Sequence, residues 1–168
     1  MFYFILLFFV LIAGLLAHIF HELMHRVVGQ LVGLKYIKTE WFRYHGGTKV
    51  LFEDEPDFSD ENVRVSWQYC AMSAAGILST TFMGYILSGV FFCLPANYLK
   101  LFVWIACASL LINDAGYALI GSIGDGGDTY AVRIHFGWSR MKMSVISAIL
   151  LTVNLGYFLI VLCGFRIG

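Results

Sequence analysis

An all-α polytopic membrane protein of about four transmembrane helices, with a small β-hairpin at one face, is the fold class the sequence predicts. Three observations predict it. Hydrophobic residues make up 60% of the 168 and charged residues only 13%, and a mean hydropathy of +0.78 lies outside the range of ordinary soluble domains. Apolar stretches of the ~20 residues needed for one bilayer crossing recur along the chain. Polar residues are concentrated in one segment, 33–65, which holds five Lys/Arg and seven Asp/Glu. Four spans and that segment fill the length, so a single domain over 1–168 is expected.

The first span is expected at about 2–29, with no charged side chain before Glu22. Its first basic residue is Arg26 and its apolar run is long, which disfavours a cleaved signal peptide. In "KYIKTEWFRYHGGTKVLF", β-branched and aromatic residues flank Gly46-Gly47, predicting a β-hairpin over about 36–52. The acidic "EDEPDFSDEN" after it reads as a solvated loop. A second span at about 66–93 ends before Pro95 and Asn97, and a third covers about 99–123 and includes "IND", residues 112–114. The glycine-rich "GSIGDGGDT" predicts a loop or broken helix. A fourth span at about 143–165 consists of the 23 uncharged residues between Lys142 and Arg166, enough to cross with some tilt.

With four spans, nine of the eleven Lys/Arg fall on one side, leaving Lys100 and Arg166 opposite. The positive-inside rule places both termini outside and the hairpin, with the end of the first helix, at the cytoplasmic face. The aromatic residues of "WFRY" and Trp138 suit anchors at the membrane interface. Zero net charge and the lack of a basic run exclude a bulk electrostatic case for nucleic acid. Cys70, Cys93, Cys107 and Cys163 lie in apolar stretches without C-x-x-C spacing, so neither a disulfide framework nor a zinc ribbon is expected.

Chemistry concentrates in "AHIFHELMHRVVG", residues 17–29. On a helix, His18, His21, Glu22 and His25 fall within an arc of about 100° on one face. His21 and His25 are one turn apart and can reach one ion, with Glu22 beside its open position. This is the H-E-x-x-H pattern, in which two neutral imidazoles hold Zn²⁺ and the glutamate takes a proton from a water made acidic by the metal. Burying these groups in an apolar helix is costly unless they are paired or ligate an ion.

A third protein ligand is needed. No glutamate follows Glu61, and Val28 and Leu31 occupy the glycine and last histidine positions of the extended H-E-x-x-H-x-x-G-x-x-H form. Beyond residue 61 the acids are Asp114, Asp125 and Asp128, and the only histidine is His135. An aspartate is therefore favoured. Asp125 and Asp128 lie in "GDGGD", whose glycines permit the irregular backbone tolerated at membrane depth beside a cavity. Both remain candidates, since they are only three residues apart.

"HELMHRVVGQLVGLKYI" resembles the H-E-L-x-H helix of the site-2-protease family of intramembrane zinc metalloproteases. "HGG", residues 45–47, is similar to the glycine pair of that family's hairpin, "AAGILST", residues 74–80, to its A-G-P-x-x-N stretch, and "DGG" to its L-D-G motif. The resemblance covers roughly residues 10–130. It implies one zinc per chain bound by His21, His25 and Asp125, Glu22 as general base, and hydrolysis of a peptide bond of a membrane-protein or peptide substrate within or near the lipid bilayer. It also implies that the hairpin presents substrate by accepting an extended strand. With no sensor domain visible in these residues, regulation is expected from membrane partners.

The sequence departs from the family at Ile77, Thr80 and Gly124, where proline, asparagine and leucine are usual. "NDAGYALIGSIG" replaces a proline-rich approach to the aspartate, and Asn113 stands twelve residues before Asp125. Two competing readings use the same residues: a membrane metal-binding or transport protein, and an inactive protease-like scaffold. His18 is a candidate for orienting a ligand. Asp114 is either functional or paired with a histidine of the first helix. His45 and His135 are expected near the surface without a chemical role.

Overall fold

The structure, a computed structural model, describes residues 2–43, 47–53, 55–58, 60, 63–124 and 126–163. Helix α1 (Phe2–Leu31) leads into an antiparallel hairpin of β1 (Tyr36–Arg43) and β2 (Gly47–Phe52). Helix α2 (Trp67–Cys93) follows, then α3 (Tyr98–Ala108), a π-helical turn (Ser109–Asn113) and α4 (Asp114–Gly124). A short α5 (Gly127–His135) precedes α6 (Arg140–Tyr157), which continues as a π-helical segment, Phe158–Cys163. Among the described residues, four helices are long and apolar enough to cross a membrane: Phe2–Leu31, Trp67–Cys93, Tyr98–Gly124 and Arg140–Ile160. They fall close to the expected spans, and the small hairpin is present as the residue pattern predicts.

The face that α1 turns inward is written at four-residue spacing. Ala13, Ala17, His21, His25 and Gly29 are all buried, whereas Phe4, Leu7, Phe8, Leu11 and Leu15 are exposed, as suits a lipid-facing surface. Small residues such as Ala13 and Ala17 on this stripe permit close helix packing, and α2 is the element that α1 packs against most. About 20 residues precede His21, a rise of roughly 30 Å, so the histidines lie about one hydrocarbon thickness from the start of the helix. Gly33, with φ +92°, ends α1. The Gly33 amide donates to the Gln30 carbonyl at 3.1 Å and the Leu34 amide to that of Gly29 at 2.9 Å, the paired bonds of a Schellman cap.

The hairpin is pinned to this end by Phe52, whose ring occupies the space a side chain on Gly29 would need. Phe52 and Val50 join Val65, Tyr69, Cys70, Met72 and Ala131 in one apolar cluster. A second cluster of Phe91, Val103, Cys107, Leu111 and Phe158 lies toward the other end of α2. The polar α1 residues His21, Glu22 and His25 are also buried. Ser66 caps α2 by accepting from the Tyr69 amide, and Ser139 caps α6 by accepting from that of Lys142. Cys70, Cys93 and Cys107 are free thiols.

Two features depart from a plain four-span reading. The "DTYAVRIH" segment forms its own helix, α5, entered through Gly127 at φ +62° and followed by Gly137 at φ +61°. The third span is interrupted by the π turn. An inserted residue rotates the helix that follows by about 100°, so the face α4 presents is not the one a regular helix would carry. The wide turn is held by Asn154 of α6, which is fully buried. Its amide donates to the Leu111 carbonyl at 2.9 Å, and its oxygen accepts from the Tyr85 hydroxyl at 2.8 Å.

Replacing Asn154 with leucine leaves both partners unpaired, which costs about 1–2 kcal/mol. Asn154→Leu is therefore expected to lower the midpoint of unfolding in detergent, with α6 the destabilised element. An unchanged midpoint would contradict this account of the π turn.

Candidate metal centre

His21 and His25 are buried on the inner face of α1, and their ring centroids lie 4.7 Å apart. Each imidazole is oriented through Nδ1. His25 Nδ1–H donates to the Met72 carbonyl at 2.7 Å, which can only accept. His21 Nδ1–H donates to Asp114 Oδ2 at 2.9 Å. With the protons so placed, the neutral rings turn bare Nε2 lone pairs toward each other.

Those two Nε2 atoms are 3.0 Å apart. Asp128 Oδ2 completes a triangle, 3.0 Å from His21 Nε2 and 3.2 Å from His25 Nε2. Three electron-pair donors this close in a buried place require positive charge between them, as protons on the rings or as a metal ion. Ligands at about 2.0–2.1 Å from a tetrahedral ion stand roughly 3.3 Å apart, so the donor set fits a small divalent cation after only slight expansion. Among the described residues, His21, His25 and Asp128 are the one group of three metal-ligating side chains that converges. With those nitrogens protonated instead, burial still opposes ionisation of Asp128, but the charge on His25 and the hydrogen bonds both rings then donate outweigh it and hold the carboxyl well below the usual carboxylate range.

Helix α2 is shaped to this triangle. A Cβ on Gly76 would stand 2.5 Å from His21 Nε2 and 2.7 Å from His25 Nε2, so no larger residue fits there without moving the imidazoles. Gly76 belongs to the "AAGILST" stretch. The centre opens onto a cavity of about 910 Å³ lined by Glu22, His18, β2, α2, α4 and the start of α5. Glu22 is 8% exposed, so its carboxylate reaches little beyond this cavity.

The expected residues are only partly assembled. His21, Glu22 and His25 share one wall, and Asp114 pairs with His21. Asp125, the ligand implied by the family resemblance, lies outside the described residues. Asp128, the other aspartate of "GDGGD", carries the carboxylate that meets the imidazoles. His18 is not among the converging ligands and shares a hydrogen bond of 2.8 Å with Thr48 of β2. Asn113 lines the cavity. His135 Nδ1–H donates to the Val65 carbonyl at 2.8 Å, a structural tie, and His45 lies outside the described residues. Tyr117, which also lines the cavity, escaped sequence reasoning; the signal that finds it is its place one turn beyond Asp114.

No family model matches the chain, and neither a curated protein nor a solved structure matches it.

The convergence of Asp128 with the two imidazoles makes its substitution the one that should matter for metal. If the triangle holds a divalent metal ion, Asp128→Ala is expected to purify without it, whereas Asp125→Ala should retain it by elemental analysis. Retention in Asp128→Ala together with loss in Asp125→Ala would return the ligand role to Asp125.

Proposed function

We propose that this chain is an intramembrane zinc metalloprotease of the site-2-protease type, spanning the bilayer four times with its active site toward the cytoplasmic side. The observation that carries the proposal is the convergence of His21 Nε2, His25 Nε2 and Asp128 Oδ2 in a cavity that also receives the Glu22 side chain. The excess of Lys/Arg on the hairpin side supports the orientation.

His21, His25 and Asp128 would hold the zinc, and when bound it supplies Lewis acidity toward a scissile carbonyl and toward water. Glu22 accepts a proton from the attacking water and returns it to the leaving amine. Asp114 keeps the His21 ring in the tautomer and orientation that leave Nε2 free, and the Met72 carbonyl does the same for His25. Strand β2 lines the cavity with Gly47–Val50 and, among the described residues, pairs on one side only, with β1. An extended substrate segment can add along its other edge and lie over the centre. The cavity volume is at the upper end of the ~300–1,000 Å³ usual for ligand sites, room for a short length of extended chain.

Glu22→Gln tests this reading, because the amide keeps the shape but cannot accept the proton. Cleavage of a transmembrane peptide by the purified protein should fall by about 10²–10⁴-fold, with zinc content unchanged. Undiminished cleavage by Glu22→Gln, or a wild-type protein that holds no zinc, would refute the proposal.

A further inference from the structure

Tyr117 carries a hydroxyl that the metal-binding groups do not use. It stands on α4 three residues after Asp114, so both side chains leave the same face of the helix. Its ring meets the imidazole of His21 edge to face, with centroids 6.3 Å apart and planes at 89°. Its hydroxyl lies over the backbone at Gly127, where a Cβ would come within 2.6 Å of the oxygen. Gly127, at φ +62°, immediately precedes Asp128. The phenol thus sits between the element that orients His21 and the residue that supplies the carboxylate.

Tyr117 lines the cavity and remains 48% exposed. Among the described residues, no hydrogen bond is made to its hydroxyl. Of the other two tyrosines that line the cavity, Tyr69 is buried in the apolar cluster and Tyr130 packs edge to face on Phe58. A phenol with an unspent donor, packed edge to face on a ring of the centre, lacks only an acceptor oxygen from a ligand.

We propose that Tyr117 is a catalytic residue that donates a hydrogen bond to the carbonyl oxygen of the scissile peptide bond. This rests on the peptidase reading above. As the water oxygen bonds to the carbonyl carbon, the C=O π pair moves onto oxygen and the water proton passes to Glu22. When the tetrahedral carbon collapses, the carbonyl re-forms, the C–N bond breaks and the amine takes the proton from Glu22. Tyr117 keeps its own proton throughout and opposes the charge that grows on oxygen, an interaction stronger in the transition state than in the bound substrate.

The test compares wild type, Tyr117→Phe and Glu22→Gln as full-length, zinc-loaded protein in detergent micelles. The probe is a phosphinate pseudopeptide with apolar flanking residues, whose tetrahedral anionic centre mimics the charged oxygen. Tyr117→Phe should retain its zinc and unfolding midpoint yet bind the phosphinate at least tenfold more weakly. On a cleaved transmembrane peptide, its kcat should fall about 10²-fold with KM within twofold. Phosphinate affinity within twofold of wild type would overturn the role of Tyr117 while leaving the peptidase reading intact. Loss of zinc from Tyr117→Phe would also overturn it, by making the phenol part of the metal scaffold. Zinc-loaded wild type that neither binds the phosphinate nor cleaves the peptide would refute the peptidase reading, and the Tyr117 role with it.

Discussion

Two imidazole nitrogens and one carboxylate oxygen, each offering a lone pair, meet within 3.0–3.2 Å inside a bundle made mostly of apolar helices. In a low-dielectric interior such a meeting is repulsive unless positive charge joins it. The protein has also removed the easy alternative of turning the rings away, since Met72 and Asp114 hold their Nδ1 sides. The rest of the architecture is best understood as what keeps this arrangement in place.

Four elements contribute. Helix α1 brings His21 and His25 one turn apart on a stripe that begins with Ala13 and Ala17 and ends at Gly29. Helix α2 leaves a gap at Gly76 into which the rings fit. The π turn in the third span, tied to α6 through Asn154, sets the face on which Asp114 and Tyr117 lie. The break after α4 and the left-handed Gly127 let α5 start with Asp128 aimed back at the histidines. These polar groups form one connected set, in which Asp114, His21, Asp128 and His25 touch in sequence. A metal ion there would be held by ligands whose orientation is already determined by hydrogen bonds of their own.

Much of this was legible in the residues. Uncharged runs marked the four long helices, and alternating residues around Gly46-Gly47 marked the hairpin. The spacing of His21, Glu22 and His25 put them on one helical face without help from tertiary structure. The absence of glutamate beyond Glu61 narrowed the candidates for a third ligand to aspartates. Periodicity could not choose between Asp125 and Asp128, because a glycine-broken helix has no fixed register. The π turn left no periodic signal, since nothing in "SLLIN" distinguishes a wide turn from a regular one. The contacts of Gly76, Asn154 and Tyr117 depend on which helices become neighbours, and local pattern carries no such information. Pairing of Asp114 with a first-helix histidine was among the expectations because a carboxylate within an apolar span needs a partner.

His21, His25 and Asp128 are proposed to surround one metal ion. X-ray absorption at the zinc edge of the purified, zinc-loaded protein tests it most directly. A first shell of two imidazole nitrogens with oxygen ligands, all at about 2.0–2.1 Å, is the predicted result. Sulfur scattering at about 2.3 Å, or a shell containing a single imidazole, would contradict it.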